Sequence, residues 1–182
     1  MANHQQPNII NNFIYVDNVA KMLHFNGKSI KCAIGKHGAT SDKWEGDGKT
    51  PLGNFSLREL FWRSDKLPEL THNFSSARPI TATMGWCDDA NCAEYNKLVE
   101  LPFTASYEEL WRNDGRYDII IPLGYNDSPA VNKRGSAIFF HIAEKDIGSD
   151  DYTPTQGCIA ISLSDMLFIL PYLSENCIMQ IA

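Results

Sequence analysis

The chain has 182 residues, 43% of them apolar and 21% charged, a composition that supports a folded core and excludes a disordered polyelectrolyte. Its formal net charge of −6, with no Lys/Arg-rich block, excludes a nucleic-acid or anionic-membrane surface, because such partners demand clustered positive charge. Five cysteines, an odd number, exclude a dense disulfide framework.

In chain order, the opening MANHQQPNIINNFIYVDNVAKML has neither a basic head nor an unbroken apolar run, so no signal peptide is expected in it. NFIYVD reads as a first strand. In KMLHFNGKSIKCAIG, Asn26-Gly27 separates two alternating apolar runs, the strongest short-range pattern for a type I′ hairpin. Further strands are predicted at 54–60, 78–83, 117–123, 137–142, 158–162 and 177–181. One helix is predicted over 163–170, with Ser162 as N-cap and Asp165 completing a capping-box pattern, and a second short one near 90–99. The longest apolar run, MLFIL at 166–170, is far too short to cross a bilayer, so no membrane insertion is expected.

The segment 60–118 is rich in aromatics, Asp, Asn and Pro without clear period, and reads as a long irregular insertion of the kind that builds binding sites. Its Trp62, Trp86 and Trp111 suit either a wall for a peptide or glycan or a core, and core is preferred. Cys87 and Cys92 form a C-x4-C pattern with no matching second pair, and Asp88-Asp89 suits a solvated loop better than a hard cation. No metal and no cofactor is predicted. Short strands between Gly, Pro, Asp and Asn turns predict one mainly β domain over 1–182, a β-sandwich or open barrel with a few short helices.

Two residues carry potential chemistry. His141 lies in the apolar run AIFFHI, and Cys158 follows Gly157 at the head of another, CIAIS, after the long connection AEKDIGSDDYTPTQ. If the two strands are neighbours, an imidazole can take the proton of a thiol, and only the thiolate is a strong nucleophile. Gly157, lacking a Cβ, lets a substrate carbonyl approach the amides of Gly157 and Cys158, which could hold an oxyanion. The competing reading is an inert buried cysteine and a hydrogen-bonded core histidine, which these residues alone leave open.

His141, followed by Thr155-Gln156-Gly157-Cys158-Ile159, resembles the signature of the L,D-transpeptidase catalytic domain of the YkuD type: a histidine, a gap of about this length, then Ser/Thr-His-Gly-Cys. Upstream, GDGKTPLGNFSL at 46–57 resembles the family's Thr-Pro-x-Gly-x-Phe stretch, and YDIIIPLGYND and GSAIFFHIA extend the likeness over most of residues 12–182. The resemblance implies a YkuD-like β-sandwich and a peptidoglycan L,D-transpeptidase without cofactor. Cys158 would be the nucleophile that carbapenems acylate and His141 its base, with a backbone carbonyl such as that of Ile142 orienting the ring. The Gly157 and Cys158 amides would form the oxyanion hole. The donor would be a stem peptide, commonly cut at diaminopimelate, and the acceptor a second stem's amine; water instead would make a carboxypeptidase or endopeptidase. An inactive peptidoglycan-binding module is the reading from another class, and retention of His141 and Cys158 argues against it. A monomer in the periplasm or envelope, its leader removed, is expected, with cytosolic action the alternative. Two positions depart from the pattern: Gln156 replaces a histidine, and Ala160 an Arg or Asn. Thr155 and Gln156 would border the substrate. Arg134 would meet a carboxylate or be a solvated turn cation, and Tyr125 and Asn126 would line a cleft or form a plain turn.

Overall fold

The structure, a computed structural model, describes residues 12–145 and 148–182. Three strands open the chain: β1 (Phe13–Asp17), β2 (Met22–Phe25) and β3 (Lys28–Ala33). Phe25 pairs with Lys28, so the β2–β3 loop is Asn26-Gly27, both at positive φ (47° and 77°), as a type I′ turn requires. Two-residue strands β4 (Ala39–Thr40) and β5 (Thr50–Pro51) pair in parallel. Then come β6 (Gly53–Ser56), β7 (Leu60–Trp62) and β8 (Ala77–Pro79), and later β12 (Ile119–Pro122), β13 (Phe139–Ile142), β14 (Ile159–Ile161) and β15 (Ile178–Ile181). With β1–β3 these make a ten-stranded sheet in the order β6-β15-β1-β2-β3-β14-β13-β12-β7-β8.

The strand expected over 54–60 is two strands, and the break explains the sheet's shape. β6 sits at one end of the order and β7 next to the other, yet only Leu57, Arg58 and Glu59 separate them. So short a connection reaches only about 14 Å even fully extended, and the sheet must therefore curl until its ends approach. Leu57 bridges Leu123, and Gly124 donates its N–H to the Ser56 carbonyl (2.8 Å), which ties β6 to the exit of β12. The result is a curled half-barrel rather than two facing sheets.

Side-chain alternation divides the central strands between two cores. Ile119, Ile121, Phe140, Ile142, Ile159 and Ile161 face the interior of the curl with Ile14, Val16, Leu23 and Met179. The helix α1 (Leu163–Ile169) adds Met166 and Ile169 to that core, and Ser162 caps it by accepting the Asp165 N–H at 3.0 Å. Ile120, Phe139 and Cys158 face the other way, into a second cluster with Phe61, Leu110 and Tyr117.

That second cluster is roofed by segment 60–118, which is more regular than its sequence suggests. Strands β9 (Met84–Cys87), β10 (Leu98–Glu100) and β11 (Tyr107–Glu109) form an antiparallel sheet in the order β10-β9-β11. Trp86 meets Phe139 edge to face at 5.2 Å, and Trp62 and Trp111 pack at the margins of the two cores, as preferred from sequence. The helix expected at 90–99 is not formed. Its stretch makes i→i+3 turns at Asp89–Cys92 and Cys92–Tyr95, and the Asp89 side chain takes the Asn91 N–H (2.9 Å), a local bond that competes with helix. Among the described residues no helix is long and apolar enough to cross a membrane.

Candidate active site

β13 and β14 run parallel, with Phe140 opposite Ile159 and His141 opposite Ala160. The period of two then places Phe139, His141, Cys158 and Ala160 on one face, the face turned away from the main core. That face floors a cavity of about 540 Å³ lined by both His141 and Cys158, with Gly157, Gln156 and Thr155 on one wall and Glu108 and Tyr117 on another.

His141 is only 5% exposed, and its Nδ1 lies 2.9 Å from the Ile142 carbonyl, the orienting group expected from sequence. A carbonyl can only accept, so Nδ1 carries the proton and Nε2 keeps its lone pair for use as a base. The Tyr117 ring stands edge-on to the imidazole at 5.3 Å. Burial pushes the imidazolium down to about 4, so the ring is neutral at neutral pH. Cys158 is 8% exposed; its Sγ accepts the Phe139 N–H (3.3 Å) and donates to the Ala137 carbonyl (3.2 Å). Burial pushes that thiol up to about 12, with the nearby Glu108 carboxyl adding to the rise. Thiol and imidazole are thus both neutral before substrate arrives, and among the described residues no hydrogen bond joins them. A nucleophilic thiol in this setting would need general-base removal of its proton during attack rather than a standing thiolate–imidazolium pair.

The turn carrying Cys158 is stitched by Thr155. Its Oγ1 donates to the Cys158 carbonyl (2.7 Å) and accepts the Gly157 N–H (3.1 Å), while its backbone bonds Ile34 and Lys36 beyond β3. The Gly157 amide, expected to face an oxyanion, is therefore already engaged, and Thr155 shapes the turn as well as lining the cavity. Gly157 itself is required. Its φ is +149°, and a Cβ there would lie 2.8 Å from the Lys49 carbonyl oxygen. The upstream motif thus underlies the turn: Lys49 abuts Gly157, and buried Thr50 accepts the Gly35 N–H through Oγ1 (2.8 Å). Gly157→Ala is expected to lower stability by about 1–3 kcal/mol through strain and to displace the Cys158 turn. Denaturant melts and activity of the purified variant check this; native values for both would refute it.

Three other candidates lie outside the cavity. Arg134 is paired with Asp42 (2.8 Å) and stacks over Trp44. Tyr125 packs edge-on to Phe55 and donates its hydroxyl to the Arg134 carbonyl. Asn126, at φ +48°, braces the following loop through Val131 and Gly135. Sequence reasoning missed Asn96, whose carbonyl takes Ala137 N–H and Trp86 Nε1–H (both 3.0 Å) and whose amide donates to the Tyr125 and Asn126 carbonyls. All four of its hydrogen-bonding positions are used, locking the roof to Ala137, which in turn holds Cys158. Cys87 and Cys92 are both free thiols.

The sequence matches a known family. The model of the L,D-transpeptidase catalytic domain, YkuD, matches residues 11–181, and the chain belongs to that family. No curated protein matches the sequence. Among solved structures, LD transpeptidase LdtMt1 in complex with imipenem is 12% identical with a TM-score of 0.45. An L,D-transpeptidase from Mycobacterium smegmatis is 12% identical with a TM-score of 0.46. Each alignment covers 93% of this chain but 58% of the other, so the chain spans little more than half the length of these two proteins.

Proposed function

We propose that the chain is a peptidoglycan L,D-transpeptidase acting by cysteine acyl transfer. Cys158 Sγ attacks the carbonyl of an L-configured stem-peptide residue while its proton passes to His141 Nε2. The tetrahedral oxyanion collapses, the C–N bond breaks, and the leaving D-amino acid takes the proton from His141 as its free amine. A second stem's amine then attacks the thioester, yielding its proton to His141, which returns one to the departing thiolate. The observation that carries this reading is the placement of Cys158 and His141 on one cavity floor with the His141 Nδ1 pinned to the Ile142 carbonyl. A merely structural histidine and cysteine would have no need of a shared, open cavity. The site of action is the cell wall, on the periplasmic side, and the acting unit is a monomer.

Mass spectrometry of a disaccharide-tetrapeptide incubated with the protein tests the reaction. A cross-linked dimer is expected; tripeptide alone would mark hydrolysis, and unchanged substrate would overturn the proposal. Imipenem, the compound bound in one structural neighbour, is expected to add its mass to the peptide containing Cys158. An adduct on Cys87, Cys92 or Cys177 with Cys158 unmodified would move the nucleophile elsewhere.

A further inference from the structure

Lys43 is buried, 4% exposed, although lysine is among the residues least often found inside a protein. Two glycines clear its path. A Cβ on Gly135, whose φ is +96°, would lie 3.0 Å from Lys43 Cε, and one on Gly157 would lie 3.5 Å from Lys43 Nζ. The side chain thus runs past Gly135 and ends beside the turn that carries Cys158, in the wall of the same cavity. Its ammonium is held by Asp47 (2.6 Å) and the Trp44 carbonyl (3.3 Å). Asp47 is itself fixed by the N–H groups of Trp44 (2.9 Å) and Lys49 (2.8 Å), so the cation cannot swing away without dismantling the loop. An ammonium has three donors, and among the described residues only two are taken.

We propose that Lys43 is a further catalytic residue, whose ammonium stabilises the negative charge that develops on Cys158 Sγ and on the oxyanion at the 157–158 turn. The inference rests on the acyl-transfer reading above. Two features of the site call for such a group. The Gly157 N–H is spent on Thr155, which leaves the oxyanion short of a donor. His141 is neutral, so it contributes no standing positive charge. Of the charged and titratable groups lining the cavity, Lys43 and Glu108 of β11 act on the thiol most directly, with Tyr117 beside it and His141 on the same floor. Of these, Lys43 is the cation. The guanidiniums of Arg112 and Arg116 also line the cavity, paired with Asp114 as Lys43 is with Asp47, but it is Lys43 Nζ that ends against the Gly157 turn. A buried, fixed charge aimed at a developing anion is worth more than the same charge in solvent.

The test is the rate at which imipenem acylates Cys158, read by peptide-resolved mass spectrometry of the whole chain, alongside turnover. Lys43→Met is expected to slow that acylation and to lower kcat, each about 10²-fold, the scale of losing one oxyanion donor. Lys43→Arg, which keeps the charge, should recover part of both. Where Lys43→Met alone does not fold, Lys43→Met/Asp47→Asn, which leaves no unpaired charge in the loop, is read in its place with the same expectation. A Cys158 acylation rate that ignores the loss of the cation overturns this inference while leaving the nucleophile assignment standing. A wild-type Cys158 that is not acylated while the protein turns over substrate would overturn both.

Discussion

Cys158→Ser is expected to abolish turnover while leaving the fold intact. The thiol makes two hydrogen bonds, accepting from Phe139 N–H and donating to the Ala137 carbonyl, and a hydroxyl can make both. The side chain shrinks slightly within a cluster formed by Phe139, Tyr117 and Ala137, so the packing loss is small. The chemistry is not preserved. A serine hydroxyl is a far weaker nucleophile than a cysteine sulfur, and His141 is neither bonded to residue 158 nor poised as the strong base that serine hydrolases supply. A loss of more than about 10³-fold in kcat, with an unchanged thermal midpoint, is the expected result. Substantial residual rate in the serine variant would place the nucleophile elsewhere.

What made this site legible is local. Asn26-Gly27 demands a type I′ hairpin because both residues tolerate positive φ, and Ser162 with Asp165 announces a helix start through side chains that reach only the next turn. The runs that became β12 to β14 are apolar on both faces apart from His141, as strands buried on both sides must be. Asn96 was invisible because its four partners come from Trp86, Ala137, Tyr125 and Asn126, none of which its own neighbourhood predicts. The roof over the site was unreadable for a related reason. β9, β10 and β11 are three or four residues each, too short to establish a period, and their pairing depends on turns between them rather than on pattern. Arg134, Tyr125 and Asn126 were drawn toward the substrate by their polarity, but the same polarity serves to hold the loop between β12 and β13 in shape.

The two cores also explain why His141 and Cys158 could be read from sequence as ordinary interior residues. A central strand covered on one side only would have shown an alternation of apolar and polar residues, and a polar side chain at an inward position would have stood out. Here the small sheet covers the second face, so that face is as apolar as the core face except at His141 itself. The cavity exists because that roof closes over Phe139 and stops short of His141 and Ala160. Polarity at a buried strand position facing such a gap is the signal that separates a site from a core.

His141→Asn is expected to lower kcat by about 10²- to 10⁴-fold, the usual contribution of a general base. Asparagine is the informative replacement because its amide N–H₂ can occupy the place of Nδ1 and keep the bond to the Ile142 carbonyl, while nothing replaces the lone pair of Nε2. The same variant carries a signature in stability. The imidazole titrates near 4 in the folded protein and near its ordinary 6.5 once unfolded, so between those values the unfolded chain binds more protons. Wild-type stability therefore falls as pH drops from about 6.5 to about 4, by about 3 kcal/mol in full from this group. Burial raises the Glu108 carboxyl and works in the opposite direction over its own range, but it is present in both proteins and cancels in the comparison. In denaturant melts the stability of wild type relative to His141→Asn should therefore fall by about 3 kcal/mol between pH 7 and 4, with the variant's profile the flatter. Parallel profiles would mean that the imidazole is not held neutral, and a variant of native activity would remove His141 from the mechanism.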